Sequence, residues 1–239
     1  MQYRRSIAAA CLLVLITVPL LTVTASRLYS LYRSVTAAAG QTSAVIVIDP
    51  GHGGEDGGAV SAGGTKESLL NLEIGTRLYD LLGFLGIPSR MTRSTDVSVY
   101  SAGAVTVSEK KVSDLRNRVR FVSDVPGAIL VSIHQNMFSE AQYHGAQVFY
   151  ADTVGSRELA ETLQSALRED LDPSNHRQAK QSKTVYLLNK ITCPGVLIEC
   201  GFLSNPAEES KLQQPSYQLR LSCSVAVCLL RSLLETEPA

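Results

Sequence analysis

Alternating strand and helix signals, together with three strongly apolar runs that each end in an ionisable side chain, predict an α/β fold. The expected architecture is a mostly parallel central sheet covered by helices on both faces, in a single domain. The first run, Ala44 to Asp49, is unbroken, rich in Val and Ile, and stopped by Pro50-Gly51, as suits a strand buried on both faces. A Gly-rich loop follows through Gly64. From Glu67, the spacing of Leu70, Ile74, Leu78, Leu81, Leu82 and Leu85 is that of an amphipathic helix, closed by Gly86 and Pro88. Ser89 to Thr92 returns as a strand, and Val112 to Val125 reads as a charged helix with Leu115, Val119 and Val122 on one side, stopped by Pro126 and Gly127. Ala128 to Ile133 is the second apolar strand and Ala146 to Tyr150 an alternating one. Ser156 to Leu171 is an amphipathic helix ended by Asp172-Pro173. Val196 to Ile198 is the last apolar strand, and a helix from about Tyr217 to Leu234 closes the chain.

The 239 residues are 45% apolar and 18% charged, ordinary usage for a globular chain with one sizeable core. Lys and Arg number 22 against 22 Asp and Glu, and they are scattered. Nothing resembles the electropositive stripe that binding to nucleic acid requires, so that function class is excluded. Residues 1–33 form a separate leader. After Arg4 and Arg5 no charge occurs until Arg27, and Ser6 to Ala25 is apolar enough for a membrane core about 30 Å thick. Val23 and Ala25 supply small residues for cleavage before Ser26. The apolar run nevertheless exceeds a signal core of roughly 7 to 15 residues, so an uncleaved anchor is expected; the leader itself sets the orientation only weakly, and an extracytoplasmic domain is expected mainly from the chemistry of the residues that follow it. Residues 34–43, built largely from Ala, Thr, Ser, Gly and Gln, read as a linker, and 44–239 as the folded domain. Of the five cysteines, Cys11 lies in the leader, and the odd number rules out full pairing within one chain. Cys200, Cys223 and Cys228 are expected as small buried hydrophobes.

The chemistry falls at the strand ends. The first buried strand runs out into His52, the second into His134 and the last into Glu199. In a parallel sheet these ends share one edge, where ligands bind. Glu67, opening the helix after the Gly-rich loop, can swing its carboxylate over the same edge. Two imidazoles and a carboxylate suffice as the three protein ligands of a catalytic zinc, with one position open. His52, Glu67 and His134 are therefore the expected metal ligands. Either histidine alone would read as a turn residue or a satisfied core histidine; it is their joint placement that points to a metal. Glu199, at the end of a buried strand where a bare carboxylate is costly, is the expected catalytic base. The glycine loop lacks the Gly-Lys-Ser/Thr ending of a phosphate-binding loop.

These residues sit in longer motifs: Ile-Asp-Pro-Gly-His-Gly-Gly at Ile48 to Gly54, Lys-Glu at Lys66 and Glu67, Ser-Ile-His-Gln-Asn at Ser132 to Asn136, and Ile-Glu-Cys-Gly-Phe-Leu-Ser-Asn at Ile198 to Asn205. On them the chain resembles the zinc-dependent N-acetylmuramoyl-L-alanine amidases of the amidase-3 family, from about Val45 to the final helix. The resemblance implies zinc on His52, Glu67 and His134, catalysis by Glu199, and cleavage of the amide between glycan and stem peptide in peptidoglycan. Asn136 and Arg116 are carried over as substrate-binding residues, although Met137 stands after Asn136 where the family commonly has alanine. A short leader with a bare catalytic domain looks most like the amidases that trim spore cortex for muramic-δ-lactam formation. Peptidoglycan, the membrane through the leader, and an activating protein are the expected partners. Two rivals stay open: a zinc peptidase acting within the stem peptide, and a membrane-tethered wall-binding protein without turnover.

Overall fold

In the computed structural model, residues 17–30, 32–33, 36 and 43–235 are described. Arg4, Arg5, Cys11 and all of the linker except Thr36 and Ser43 lie outside them, as does the start of the apolar leader. The elements are β1 (Val45–Pro50), α1 (Glu67–Phe84), β2 (Ser89–Met91), α2 (Val107–Ser123), β3 (Ala128–Asn136), β4 (Gln147–Tyr150), α3 (Ser156–Leu171), β5 (Lys180–Gln181), α4 (Tyr186–Lys190), β6 (Gly195–Phe202), α5 (Pro206–Leu212) and α6 (Pro215–Glu235). The strands form one six-stranded sheet in the order β2-β1-β3-β6-β4-β5.

The first four strands in that order run parallel, whereas β4 is antiparallel to β6 and β5 follows β4. The reversal has a plain cause. Residues 137–146, between β3 and β4, contain no helix to carry the chain back to the far edge, so β4 starts where β3 ends. Alternation along the central strands sends Ile46, Ile48, Val131, Ile133, Val196 and Ile198 to one face, under α1, α3 and α6. Val47, Leu130 and Leu197 point to the other, against Val122 of α2 and Leu187, Leu188 and Ile191 at α4. Both faces are thus covered. The length and composition of α6 would let it cross a membrane, but half of it is buried against α1 and α3, as befits a core helix.

Residues 17–30 are helical, and 18–30 are exposed. Beyond them, the Tyr32 hydroxyl donates to the carbonyl of Phe84 at 3.0 Å, with the two rings 5.2 Å apart. This brings the leader to the carboxyl end of α1.

Helix α2 begins ahead of the apolar periodicity that marks its body. Thr106 Oγ1 accepts from Glu109 N at 3.2 Å, and Glu109 Oε2 accepts from Thr106 N at 2.9 Å, a capping box that starts the helix at Val107 and not Val112. Thr106→Ala should lower global stability by about 1 kcal/mol. An unchanged urea midpoint would show that the first turn contributes nothing. Cys200 and Cys228 are buried as expected, but Cys223 is exposed, on the outer side of α6.

Candidate active site

Strands β1, β3 and β6 end together on one edge, and the register of the sheet sets His134 directly opposite Glu199. Past the end of β1, His52 adopts φ 60°, a left-handed conformation unusual outside glycine, which turns its ring back over the edge. The glycine loop then curls under itself. Glu67 N donates to the carbonyl of Ala59 at 2.9 Å, and Ala59 N donates to Glu67 Oε2 at 2.8 Å. The other oxygen of Glu67 lies 2.9 Å from His134 Nδ1 and 3.3 Å from His52 Nε2, and it accepts from Gln135 N at 3.1 Å.

His52, Glu67 and His134 thus present ligand atoms all within 4.8 Å of one another, a group that could hold a metal ion. The surroundings fit such an ion. A Cβ at Gly51 would overlap the His134 ring, and one at Gly58, whose φ is 66°, would overlap Glu67 and the His52 ring. The imidazole–carboxylate donor set is that of catalytic divalent metals.

One contributor was missed in the sequence. Asp56 Oδ2 lies 3.0 Å from His52 Nδ1, which fixes the ring so that Nε2 faces the cluster. An acid four residues beyond the histidine, in the same loop, was the available signal. The hydrogen bond with His52 holds Asp56 down to about 2. Burial works against charge on His52, yet Asp56 and Glu67 together raise it to about 9. Burial would raise Glu67, but His134 and His52 hold it well below the usual carboxylate range.

Glu199 is in a different state. Burial pushes its carboxyl up to about 7, and Oε2 is buried with no hydrogen-bond partner. It lines a cavity of about 310 Å³ together with Gly51, His52, His134, Leu115 and Tyr186.

Beneath the loop, two buried arginines brace it. Arg118 donates to Asp49 Oδ1 at 2.6 Å, Asp114 Oδ2 at 2.6 Å and the carbonyls of Pro50 and His52 at 3.0 and 2.7 Å. Arg93 donates to the carbonyls of Pro50, Gly51 and Ser68. Arg116, the arginine named from the sequence, lies exposed and lines a separate groove with Ser101 and Asn117. Asn136 folds its Oδ1 back onto Met137 N at 2.9 Å and does not line the cavity.

A layered α/β domain that gathers two imidazoles and two carboxylates at one sheet edge, one carboxylate poised near neutrality, has the frame of a hydrolytic enzyme. The chain belongs to the N-acetylmuramoyl-L-alanine amidase family, Amidase_3, whose profile matches residues 46–230, and its activity is that of a peptidoglycan amidase. It is 38% identical over 192 residues to the germination-specific N-acetylmuramoyl-L-alanine amidase of Bacillus subtilis, which covers 80% of each chain. The CwlD amidase of Clostridioides difficile, solved in complex with the GerS lipoprotein, matches with a TM-score of 0.77 and 35% identity, covering 81% of this chain and all of that one. A second N-acetylmuramoyl-L-alanine amidase, from Clostridium difficile 630, matches with a TM-score of 0.69 and 30% identity over 82% of this chain and 98% of its own.

Proposed function

We propose that the enzyme is zinc-dependent and cleaves the amide between N-acetylmuramic acid and L-alanine in spore cortex, with His52, Glu67 and His134 holding the metal and Glu199 as the base. The observation that carries this reading is the meeting of those three donors beside an unpartnered buried carboxylate. Zinc bound there would supply Lewis acidity and lower the pKa of water. The chain's own groups do the rest. Asp56 orients His52, and the brace from Arg118 and Arg93 fixes the loop that carries it.

Glu199, near neutrality, accepts the proton of the attacking water as the new C–O bond forms on the lactyl carbonyl. It returns that proton to the nitrogen as the C–N bond breaks, leaving a lactyl carboxylate and the free α-amine of L-alanine. Leu115, Tyr186 and Leu187 wall the cavity with apolar surface, which strengthens these charges by excluding water.

The spore-cortex role is supported by the germination-specific relative. A protein partner is supported by the complex in which the CwlD amidase was solved. Membrane attachment is supported by the exposed apolar side chains of the leader helix, Val18, Leu20, Leu21 and Val23, each more than half exposed.

Incubating the purified chain with intact cell wall and weighing the released fragments tests the reaction. Whole stem peptides with a free L-alanine amine are expected, and peptides cut internally would make the enzyme a peptidase. The same preparation should carry about one zinc per chain and lose hydrolysis with a chelator. An active preparation without zinc would remove the metal assignment.

A further inference from the structure

The cleft continues past the cluster. A second cavity of about 200 Å³, lined by Glu55, Ser98, Tyr100 and Lys110 among others, lies beside the first, and Asp56, Lys111 and Asp114 line both. Most fixed charges along this channel are held in direct contacts with other groups. Arg118 is bound to Asp49 and Asp114, Lys110 to both oxygens of Glu55 at 2.9 and 2.7 Å, and Asp56 to His52. Lys111 differs. It is exposed at the junction of the two cavities and takes part in none of the ion pairs of the described residues.

An ammonium that feels the charge of Asp56 but makes no direct ion pair of its own can take an anion from the substrate at that place, and the substrate's chemistry says which part supplies it. The glycan consists of N-acetylated sugars, and its lactyl carboxyl is consumed in the scissile amide. The negative charge therefore lies in the peptide. Resting on the peptidoglycan reading above, we propose that Lys111 receives a carboxylate of the peptide on the leaving side of the scissile bond and thereby makes the enzyme prefer acidic peptides over amidated ones. The flexible stem of a lysine suits a point contact with a carboxylate that need not be held bidentately.

The test uses two muramyl peptides identical except that one peptide carboxylate is free or converted to its primary amide. The full chain should favour the free acid by about three- to tenfold in both kcat/KM and Kd, the range of a partly exposed charge-assisted contact. Lys111→Gln should bring both ratios close to one. Lys111→Arg should keep them, because the charge stays. Arg120→Gln, which removes an equal charge from the exposed outer side of the same helix, should also keep them and so separates a local contact from the general field. A Lys111→Gln chain with the parent's ratios would overturn the proposal, as would a parent that binds acid and amide equally. Should neither substrate yield a free L-alanine amine, the hydrolysis reading fails, and the Kd ratio still decides the role of Lys111.

Discussion

Glu199→Gln lowers the rate of amide hydrolysis by about 10² to 10⁴ or more, the range of a general acid/base group, while metal content and wall binding stay close to those of the parent. The volume is nearly unchanged, so the cavity keeps its shape, but an amide cannot take a proton from water. The pH profile carries a second signature. A base works in its ionised form, and burial sets this carboxyl at about 7, so kcat/KM of the parent should fall as pH drops below about 7. That limb should be missing from the residual activity of the variant. Two outcomes would count against the assignment. A variant that has lost its metal would show that Glu199 is a ligand, and one that retains full activity would leave Glu67 as the carboxylate to test.

Much of this arrangement was legible in the sequence because burial and chemistry change abruptly at strand ends. Ile46 to Ile48 and Val196 to Ile198 suit buried strands, and they are fully or almost fully buried, so His52 and Glu199 follow at their exits. Helix α3 has the predicted limits, since its apolar stripe of Leu159, Leu163 and Leu167 runs its whole length. The start of α2 was missed for the opposite reason. Val107 is 82% exposed, so the first turns carry no buried stripe and only the capping box announces them. Strand β5 and helices α4 and α5 went unread because they are too short for a period to show. Arg116, carried over as a substrate-binding residue, is exposed, and Arg118 is the buried brace; helix geometry separates them. Leu115 lines the cavity, and its neighbour three residues on, Arg118, shares that face, whereas Arg116 is rotated by about 100° from Leu115. Asp56 carried only the signal of an acid four residues beyond His52, and whether that spacing becomes a contact depends on how the glycine loop curls.

The brace itself yields the largest expected effect on stability. Asp49 is almost fully buried on β1, beneath the loop that carries His52. Burial alone would raise its carboxyl, but the charge of Arg118 and hydrogen bonds from Thr92, Arg118 and Ser132 hold it at about 2. A folded value below the unfolded one of about 3.9 contributes stability that is present above about pH 4 and is lost as pH falls toward 2. Arg118→Met removes the cation and leaves the carboxylate buried with only two hydroxyl donors, at 2.7 and 2.8 Å. Breaking such a pair costs about 3 to 5 kcal/mol, so near neutral pH the variant should melt far below the parent or fail to fold. The sign of the pH dependence should invert at the same time. Without Arg118, burial puts the folded pKa of Asp49 above its unfolded value, so the penalty is greatest at neutral pH and is relieved as pH falls through that raised value. The stabilities of parent and variant should therefore converge between about pH 7 and pH 4, as measured by urea unfolding across that window. The double variant Asp49→Asn with Arg118→Met removes the stranded charge, while its side-chain oxygen still accepts from a hydroxyl, and should recover part of the loss. A gap between parent and single variant that stays constant with pH, and that the double variant does not narrow, would assign the cost to packing around the guanidinium and not to the charge of Asp49.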